Sequence, residues 1–379
     1  MGRIVIAPDS FKGTAAAADA AAAIARGWRS VRPDDELVLR PMADGGEGTI
    51  DAFAAAVPGA RRMPITVSGP VGRPVEACWL HLPAAARAPG ATGTAVVELA
   101  ATSGITLLDP LAPLDAHTRG FGEAIAAALD HGVDRVLLAL GGSASTDGGA
   151  GALTALGAEL VGADGGPIPL GGGGLARLSD VRRGGLRPLP AGGAQLLVDV
   201  TNPLLGSNGA AAVFGPQKGA GADEVDALEA GLARLAAVLP AGLVDPETPG
   251  AGAAGGTGFG LLAWGAVIAP GARTVAETIG LPAALDGAAL VITGEGRFDG
   301  QSAAGKAPSE VVRLARAAGV PSALVAGAID ADPAAVGFGA SASLSEIAGG
   351  GAAAMAEPLR WLKRAGAELA TAFDATAAG

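Results

Sequence analysis

The sequence predicts an α/β protein built from two α/β domains, one of which is inserted into the other. The length of 379 residues suggests about two domains. Short apolar runs alternate with alanine-rich segments of helical period, a pattern typical of strands joined by helices in a mainly parallel sheet. The alternation is regular at both ends of the chain, but Gly- and Pro-rich connections interrupt it near 162–193 and 240–257. We therefore expect a discontinuous outer domain of residues 1–66 plus 286–379 and an inserted domain of residues 67–285.

Each predicted strand is a short run rich in aliphatic residues. In chain order these runs lie at 4–7, 37–40, 96–99, 136–140, 195–200, 289–293 and 322–326. Each predicted helix is a longer segment in which alanine and other apolar residues recur at helical spacing. These segments lie at 15–30, 49–56, 120–131, 223–239, 309–318 and 356–372.

One uncharged stretch, residues 248–272, is long enough to cross a bilayer. Its first half contains GAGAAGGTG, which is loop-like and poorly hydrophobic. We therefore interpret the second half as a buried helix that starts near Phe259, and we expect no membrane partner.

Composition narrows the class of protein. The net charge is -11 and no basic stripe is present, which argues against nucleic acid or an anionic membrane as a partner. An acidic protein that binds an anionic ligand must place its few positive charges locally. Cys78 is the single cysteine, and the start MGRIVIAPDS lacks the features of a signal peptide, so we expect a cytoplasmic protein. The oligomeric state, monomer or homodimer, stays open.

Nearly every loop that follows a predicted strand combines glycine with a carboxylate, and several add Ser, Thr or Lys. These loops read PDSFKGT, ADGGEGT, GGSASTDGG, TNPLLGSNG and GEGRFDGQSAAGK. Any one of them is explained equally well by turn chemistry or by a helix cap. Five such loops after five strands favour a ligand site, because ligands bind beyond the carboxyl ends of the strands in open parallel sheets.

Lysine usage supports an anionic ligand. Only four of the 26 basic residues are lysine, and three of these, Lys12, Lys218 and Lys306, lie in Gly-rich loops. Lysine binds phosphate as a compact point charge, so its retention there in an arginine-rich chain is informative. The segment GQSAAGKA at 300–307 nearly matches a nucleotide-binding loop, but Ala307 replaces the hydroxyl and the segment does not start at a strand end.

The remaining residue types indicate phosphoryl transfer. All three histidines lie outside the strand-end loops, so a catalytic triad or a histidine zinc site has no obvious parts. Carboxylates, lysines and backbone amides remain, and oxygen ligands suit Mg²⁺ together with substrate phosphates. Such a set can neutralise the charge that develops during phosphoryl transfer. The residues therefore predict an ATP-dependent kinase that uses Mg²⁺.

As a set, these loops resemble those of the bacterial glycerate kinase family, in order and approximate spacing. The matching segments are APDSFKGT (7–14), ADGGEGT (43–49), GGSASTDGGAG (141–151), DVTNPLLG (199–206), GPQKGA (215–220), PGAGAAGG (249–256) and TGEGRFDGQSAAGK (293–306). The family's usual serines after FKG are replaced by Thr14 and alanines, which leaves a helix cap in place.

The resemblance implies transfer of the γ-phosphate of ATP to D-glycerate, with Mg²⁺. It also implies a flavodoxin-like or Rossmann-like outer domain and an active site in the cleft between the two domains. The product is 2-phosphoglycerate or 3-phosphoglycerate, of which we favour the first.

Candidate roles follow from this chemistry. The substrate hydroxyl needs a carboxylate to take its proton, and a second carboxylate group must hold magnesium. The candidates for the first task are Asp199, Asp44 and Glu47, and those for the metal are Glu295 and Asp299. Asp199 is favoured because an acid that ends an apolar strand is costly to bury unless it is paired or used.

The remaining candidates bind phosphate or substrate. Lys12 and Lys306 are expected to act on phosphates during catalysis. Arg297 is expected to grip the substrate carboxylate in a bidentate pair. The other residues expected to supply charges, amides and hydroxyls are Lys218, Asn202, Gly141, Gly142, Ser143, Thr146, Gly294 and Gly296.

Two alternatives belong to other classes of protein. One is an NAD-linked dehydrogenase of a small hydroxy acid, for which GTGFGLLA at 256–263 is a weak dinucleotide motif because no strand precedes it. The other is a non-catalytic protein that binds a small anion.

Overall fold

The computed structural model describes residues 2–84, 92–300 and 306–377. In these ranges the strands are β1 (Arg3–Ile6), β2 (Glu36–Leu39), β3 (Arg61–Ser68), β4 (Pro74–Leu82), β5 (Thr94–Glu98), β6 (Arg135–Ala139), β7 (Glu159–Gly162), β8 (Leu178–Arg182), β9 (Ala194–Leu197), β10 (Val267–Ala269), β11 (Leu290–Phe298), β12 (Ser322–Ile329) and β13 (Ala340–Ser343).

The α-helices are α1 (Ala17–Val31), α2 (Thr49–Ala56), α3 (Leu99–Ser103), α4 (Arg119–Asp130), α5 (Ala150–Ala155), α6 (Ala210–Phe214), α7 (Ala222–Val238), α8 (Ala253–Trp264), α9 (Gly271–Thr278), α10 (Leu281–Leu285), α11 (Ala307–Ala317), α12 (Pro333–Val336), α13 (Leu344–Ala348), α14 (Gly351–Ala356) and α15 (Pro358–Ala377). Short 3₁₀ helices lie at Ile105–Leu107, Gly172–Arg177 and Pro216–Lys218.

The chain divides into two compact units. The terminal unit consists of Met1–Asp44, Asp51–Pro58 and Ala272–Gly379, and the central unit consists of Gly45–Ile50 and Gly59–Gly271. The division predicted from the sequence differs from these units at residues 45–50 and 59–66, which belong to the central unit, and at 272–285, which belong to the terminal unit. Strand β3 explains the difference at 59–66, because it pairs along its whole length with β4 of the central unit.

The terminal unit contains a five-stranded sheet in the order β13-β12-β11-β1-β2, in which all neighbours are parallel. Its core packs aliphatic strand residues against α1 and α15. A Cβ on Gly27 of α1 would lie 1.8 Å from the carbonyl oxygen of Lys363, so only glycine permits these two helices to approach so closely. Because all five strands are parallel, their carboxyl ends meet along one edge of this sheet.

The central unit contains a six-stranded mixed sheet in the order β10-β9-β6-β5-β4-β3. The pairs β3–β4 and β4–β5 are antiparallel. The pairs β5–β6, β6–β9 and β9–β10 are parallel. Strands β7 and β8 form a separate antiparallel pair. The α/β fold class is confirmed, but the antiparallel strands β3 and β4 were not predicted from the sequence.

One predicted boundary was wrong. Strand β11 continues to Phe298 rather than ending at Thr293, because its later residues pair in register with β12. The buried helix predicted to start near Phe259 is confirmed as α8, whose regular part starts after Ala254, Gly255 and Gly256, since these three residues have left-handed backbone angles. The GTGFGLLA segment lies within α8 and so lacks the strand, turn and helix context of a dinucleotide site. Across the described ranges, no helix combines the length and the apolar character that a membrane span requires.

Candidate functional site

A cavity of about 480 Å³ lies at the carboxyl ends of the strands in the terminal unit. All five strands contribute to its lining, either by their last residues or by the segments that follow them. The charged side chains in the lining are Asp9, Lys12, Asp44, Glu295, Arg297, Asp299 and Lys306. Of these seven, six were predicted from the sequence, and the structure brings them together in one cavity. Gly296, which was also predicted, belongs to the same lining.

The loop after β1 presents Lys12. Phe11 is buried in the core of the terminal unit, and its backbone N–H donates to the carbonyl of Ala15. Thr14 closes the turn by donating from Oγ1 to the carbonyl of Phe11 at 2.8 Å. The anchored turn leaves the Lys12 side chain 77% exposed, with its Nζ 4.0 Å from Asp44 Oδ2. An ammonium held in this way remains available to a second anion, because a single contact at this distance is weak in water.

Asp9 is a site residue that was not predicted from the sequence. It lies in the same loop as Lys12, is 7% exposed, and its Oδ1 accepts from the N–H of Ser10 at 2.6 Å. Burial, followed by repulsion from the carboxylates of Asp44 and Glu295, raises the pKa of Asp9 to about 7. The available signal was its position, since Asp9 follows an apolar strand just as the predicted acids do.

The end of β11 supplies the opposite wall. Glu295 is 7% exposed. At its neighbour Gly294, a Cβ would lie 2.2 Å from the carbonyl oxygen of Val325, and the carbonyl oxygen of Gly294 accepts from the N–H of Asp9 at 2.8 Å. Gly294 therefore permits the close approach of β11 to β12, a structural role that was not predicted for it.

Two cationic residues of this wall differ in their surroundings. Arg297, predicted to bind the substrate carboxylate, donates from Nε to Asp330 Oδ2 at 2.5 Å. Lys306 is half-buried and precedes the first turn of α11, where a helix terminus also favours anions. Residues 301–305 of the GQSAAGKA segment lie outside the described residues.

The oxygen donors suit magnesium. Mutual repulsion among Asp9, Asp44 and Glu295 contributes to the raised pKa of Asp9, and a divalent cation would relieve that repulsion. Within the described residues no group of three or more His, Cys, Asp or Glu side chains could hold a metal ion. Mg²⁺ usually takes one or two carboxylates and completes its shell with phosphates and water.

The other predicted residues lie in the central unit, where Lys218 is almost fully buried. Its Nζ donates to Ser143 Oγ at 2.8 Å and to the carbonyl of Ser145 at 2.5 Å. Burial lowers the pKa of Lys218 to about 7, and the charge of Asp147 opposes this shift only in part. The sequence predicted that Lys218 binds phosphate, but in the structure its donors are directed at protein oxygens.

The loop after β6 is built around Asp147. This buried carboxylate accepts from the N–H of Thr118 at 2.9 Å, from Thr118 Oγ1 at 2.9 Å and from the N–H of Gly151 at 3.1 Å. It therefore ties the first turn of α5 to Thr118. Thr146 Oγ1 is buried and has no hydrogen-bond partner among the residues that the structure describes.

Gly141 and Gly142 act through their backbone. A Cβ on Gly141 would lie 2.5 Å from the Cα of Gly46, and the N–H of Gly141 donates to the carbonyl of Gly45 at 3.3 Å. Gly142 has a φ of +79° and accepts at its carbonyl from the N–H of Ile105. The amide of Gly141, which was expected to reach substrate, is thus bonded within the chain.

Three further predicted residues are wholly or partly open to solvent. Asp199 is exposed and accepts at Oδ1 from the N–H of Gly271, the first residue of α9, at 2.7 Å. The argument that burial makes Asp199 costly was therefore wrong, since β9 ends two residues earlier. Asn202 donates to the carbonyl of Asn208 at 2.8 Å, and Glu47 is exposed in its loop.

Comparison with known proteins identifies the family of this chain. A family model described as the glycerate kinase family matches residues 4–374. The chain is 43% identical over 339 residues to glycerate 2-kinase of Escherichia coli K12, covering 87% of this chain and 86% of that protein. It is 43% identical over 340 residues to glycerate kinase of Bacillus subtilis 168, covering 88% and 87%.

A crystal structure of a protein provisionally named glycerate kinase 2, from Salmonella typhimurium LT2, has the same fold. It superposes with a TM-score of 0.86 at 37% identity and covers 100% of both chains. The predicted family resemblance is confirmed by these matches, which extend over nearly the whole sequence. The chain therefore belongs to the glycerate kinase family and is a kinase.

Proposed function

We propose that this protein transfers the γ-phosphate of ATP to D-glycerate, with the assistance of Mg²⁺. The observation that carries this proposal is the cavity of the terminal unit at the carboxyl ends of parallel strands. There the buried carboxylates of Asp9 and Glu295 lie in the same lining as Lys12 and Lys306. Phosphoryl transfer needs both kinds of group, because cations neutralise the transferred phosphoryl while a carboxylate orients the attacking hydroxyl. Family membership selects glycerate among the acceptor alcohols.

Within this proposal Lys12 and Lys306 bind phosphate oxygens. Lys12 suits this task because its side chain is largely exposed at the cavity, and Lys306 because it stands at the N-terminus of α11. Glu295 and Asp299 hold magnesium, which supplies neutralisation of phosphate charge when it is bound. Contact of Lys218, Ser143, Thr146 and Asn202 with substrate stays a prediction.

Asp9 is the residue that we propose as proton acceptor. It is nearly buried and lies in the cavity lining beside Lys12. Asp199, favoured on sequence grounds, is less suited because it is exposed and bonds to the start of α9. Asp44 is the second candidate, since it lines the same cavity. A base must reach the proton that it removes, so membership of the cavity lining favours Asp9 and Asp44 over Asp199.

We propose 2-phosphoglycerate as the product. Support comes from the relative of Escherichia coli K12 at 43% identity, which is named a glycerate 2-kinase. The alternative product, 3-phosphoglycerate, differs only in which hydroxyl of the same substrate faces the phosphoryl group.

One experiment tests reaction and product together. The purified protein is mixed with D-glycerate, ATP and MgCl₂, ADP release is followed by a coupled assay, and the product is identified by phosphorus NMR. Parallel reactions omit glycerate, omit magnesium, or replace ATP with NAD⁺. We expect ADP release that depends on both glycerate and magnesium. The proposal fails if no ADP appears above the glycerate-free background. A change in nicotinamide absorbance would favour the dehydrogenase, and thermal stabilisation by glycerate without turnover would favour an anion-binding protein.

A further inference from the structure

The cavity of the terminal unit has a charged end and an apolar end. All of its charged lining residues belong to β11 or to segments that follow β1, β2 or β11. The lining residues that belong to β12 or to the helices after β13 carry no charge. Because the sheet order is β13-β12-β11-β1-β2, the charged groups cluster over one side of the sheet and the uncharged groups over the other.

The apolar end has the character of a binding surface for a flat ring. Its walls include Ala328, Leu344, Ala354, Met355 and Pro358. Met355 lines this end of the cavity and is 63% exposed, so its side chain is available to a ligand. Methionine is unbranched and polarisable, so it adapts to ligand surfaces and makes favourable sulfur–aromatic contacts.

The size of the cavity supports a ligand larger than glycerate. A volume of about 480 Å³ lies in the range of pockets that enclose whole cofactor-sized molecules. Glycerate is a three-carbon acid whose surface is dominated by two hydroxyls and a carboxylate, so it has little apolar surface to place against this wall. A nucleotide has an uncharged aromatic base at one end and a charged phosphate chain at the other. These two parts match the apolar end and the charged end of the cavity.

We propose that the apolar end of this cavity binds the base of the nucleoside triphosphate, so that the phosphate chain extends toward Lys12 and Lys306. This inference rests on the proposed function and adds the location of the donor nucleotide. It places the reacting phosphate over β1 and β11 and the base over β12 and the helices that follow β13.

Gly351 offers a direct test. It lines the cavity at the start of α14, its backbone angles are those of an ordinary residue, and no atom lies within 4 Å of the position that a Cβ would take. A phenylalanine at this position adds bulk at the apolar end without a clash at its Cβ. Gly184 is the matched control, because it is exposed in the central unit and a Cβ added to it would also have no atom within 4 Å.

The experiment measures binding by calorimetry in the presence of MgCl₂, with ADP and inorganic tripolyphosphate as separate probes. The proteins are wild type, Gly351→Phe, Met355→Ala and the control Gly184→Phe, each checked by circular dichroism. We expect Gly351→Phe to weaken ADP binding about tenfold or more and Met355→Ala to weaken it by a smaller factor. Tripolyphosphate affinity should change less than about twofold in all variants, because that probe reaches only the charged end.

Two results overturn the inference: failure of the wild type to bind ADP, or unchanged ADP affinity in both Gly351→Phe and Met355→Ala. Turnover of glycerate with ATP separates this outcome from failure of the proposed function. Intact turnover with unchanged ADP affinity places the base elsewhere while the kinase assignment stands. ADP binding that responds to the variants, without glycerate turnover, supports the base site and refutes the choice of acceptor.

Discussion

Replacement of Lys218 by methionine should make the stability of the protein respond differently to pH. Lys218 is 3% exposed and donates to two oxygens, Ser143 Oγ and the carbonyl of Ser145. A neutral amine has two N–H donors, which match these two acceptors. Burial lowers the pKa of Lys218 to about 7, so the folded protein carries this amine largely uncharged above that pH.

The sign of the effect follows from proton linkage. In the unfolded chain the lysine pKa has its ordinary value of 10.5, so between about pH 7 and pH 10.5 the unfolded state binds the extra proton. The free energy of unfolding therefore rises with pH across this window, and the contribution is lost as pH falls toward 7. The slope approaches about 1.4 kcal/mol per pH unit well above pH 7 and is smaller near it. The expected gain from pH 7 to pH 9 is about 2 kcal/mol.

The assay compares urea unfolding of the wild type and of Lys218→Met at pH 6, 7, 8 and 9. The quantity of interest is the difference in free energy of unfolding between the two proteins at each pH, obtained from midpoints and slopes. Methionine keeps an unbranched chain but cannot titrate. Lys363→Met is the matched control, because it makes the same replacement at an exposed lysine of α15 and removes the same formal charge.

A constant difference between wild type and Lys218→Met from pH 6 to pH 9 would refute the reasoning, since it would mean that Lys218 keeps its proton when buried. A difference that grows equally in Lys363→Met would assign the effect to the general charge of the chain instead.

Three further predictions follow from the terminal unit. Asp9→Asn should lower glycerate turnover by about a hundredfold or more. Because the pKa of Asp9 is raised from 3.8 to about 7 in the folded protein, this carboxyl lowers the stability of the wild type as pH rises through that range. In urea unfolding, the free energy of unfolding of the variant should therefore rise relative to that of the wild type by up to about 4 kcal/mol between pH 4 and pH 8. Asp35 accepts from the Nε1 of Trp28, and its pKa is lowered to about 2, chiefly by hydrogen bonds from Arg32. Asp35→Asn should therefore lower the free energy of unfolding by about 2 kcal/mol at pH 7 and by less at pH 3. An equal loss at both pH values would count against this explanation. Lys306→Ala should reduce turnover by about a hundredfold without changing the melting temperature, while Lys363→Ala leaves both unchanged; near wild-type activity in Lys306→Ala would remove that lysine from the site.

The sequence predicted much of the candidate site because its chemistry is concentrated at strand ends. Strands such as β1 and β11 are recognisable from their aliphatic runs, and parallel strands bring the residues after them to one edge. This placed Lys12, Glu295 and Lys306 among the candidates before any contact was known. Asp9 was missed because most of these loops contain an acid, and local pattern does not show which acid is buried.

Pairing over long distances decided what the sequence left open. The extension of β11 to Phe298 depends on register with β12, and the assignment of 59–66 to the central unit depends on β3 pairing with β4. Neither partner is visible in a local window, so a strand-like segment and a loop look alike there.

By itself, the amino-acid sequence determined the α/β class, the strand ends at which the charged residues collect, and the resemblance that the family match confirmed. These properties depend on local period and residue type, which are written along the chain. Only the tertiary structure decided that Lys218 is buried and directed at Ser143, that Asp199 is exposed, and that one cavity has a charged and an apolar end. Burial and charge environment arise from segments far apart in sequence, and they set the pKa values and the contacts on which function depends.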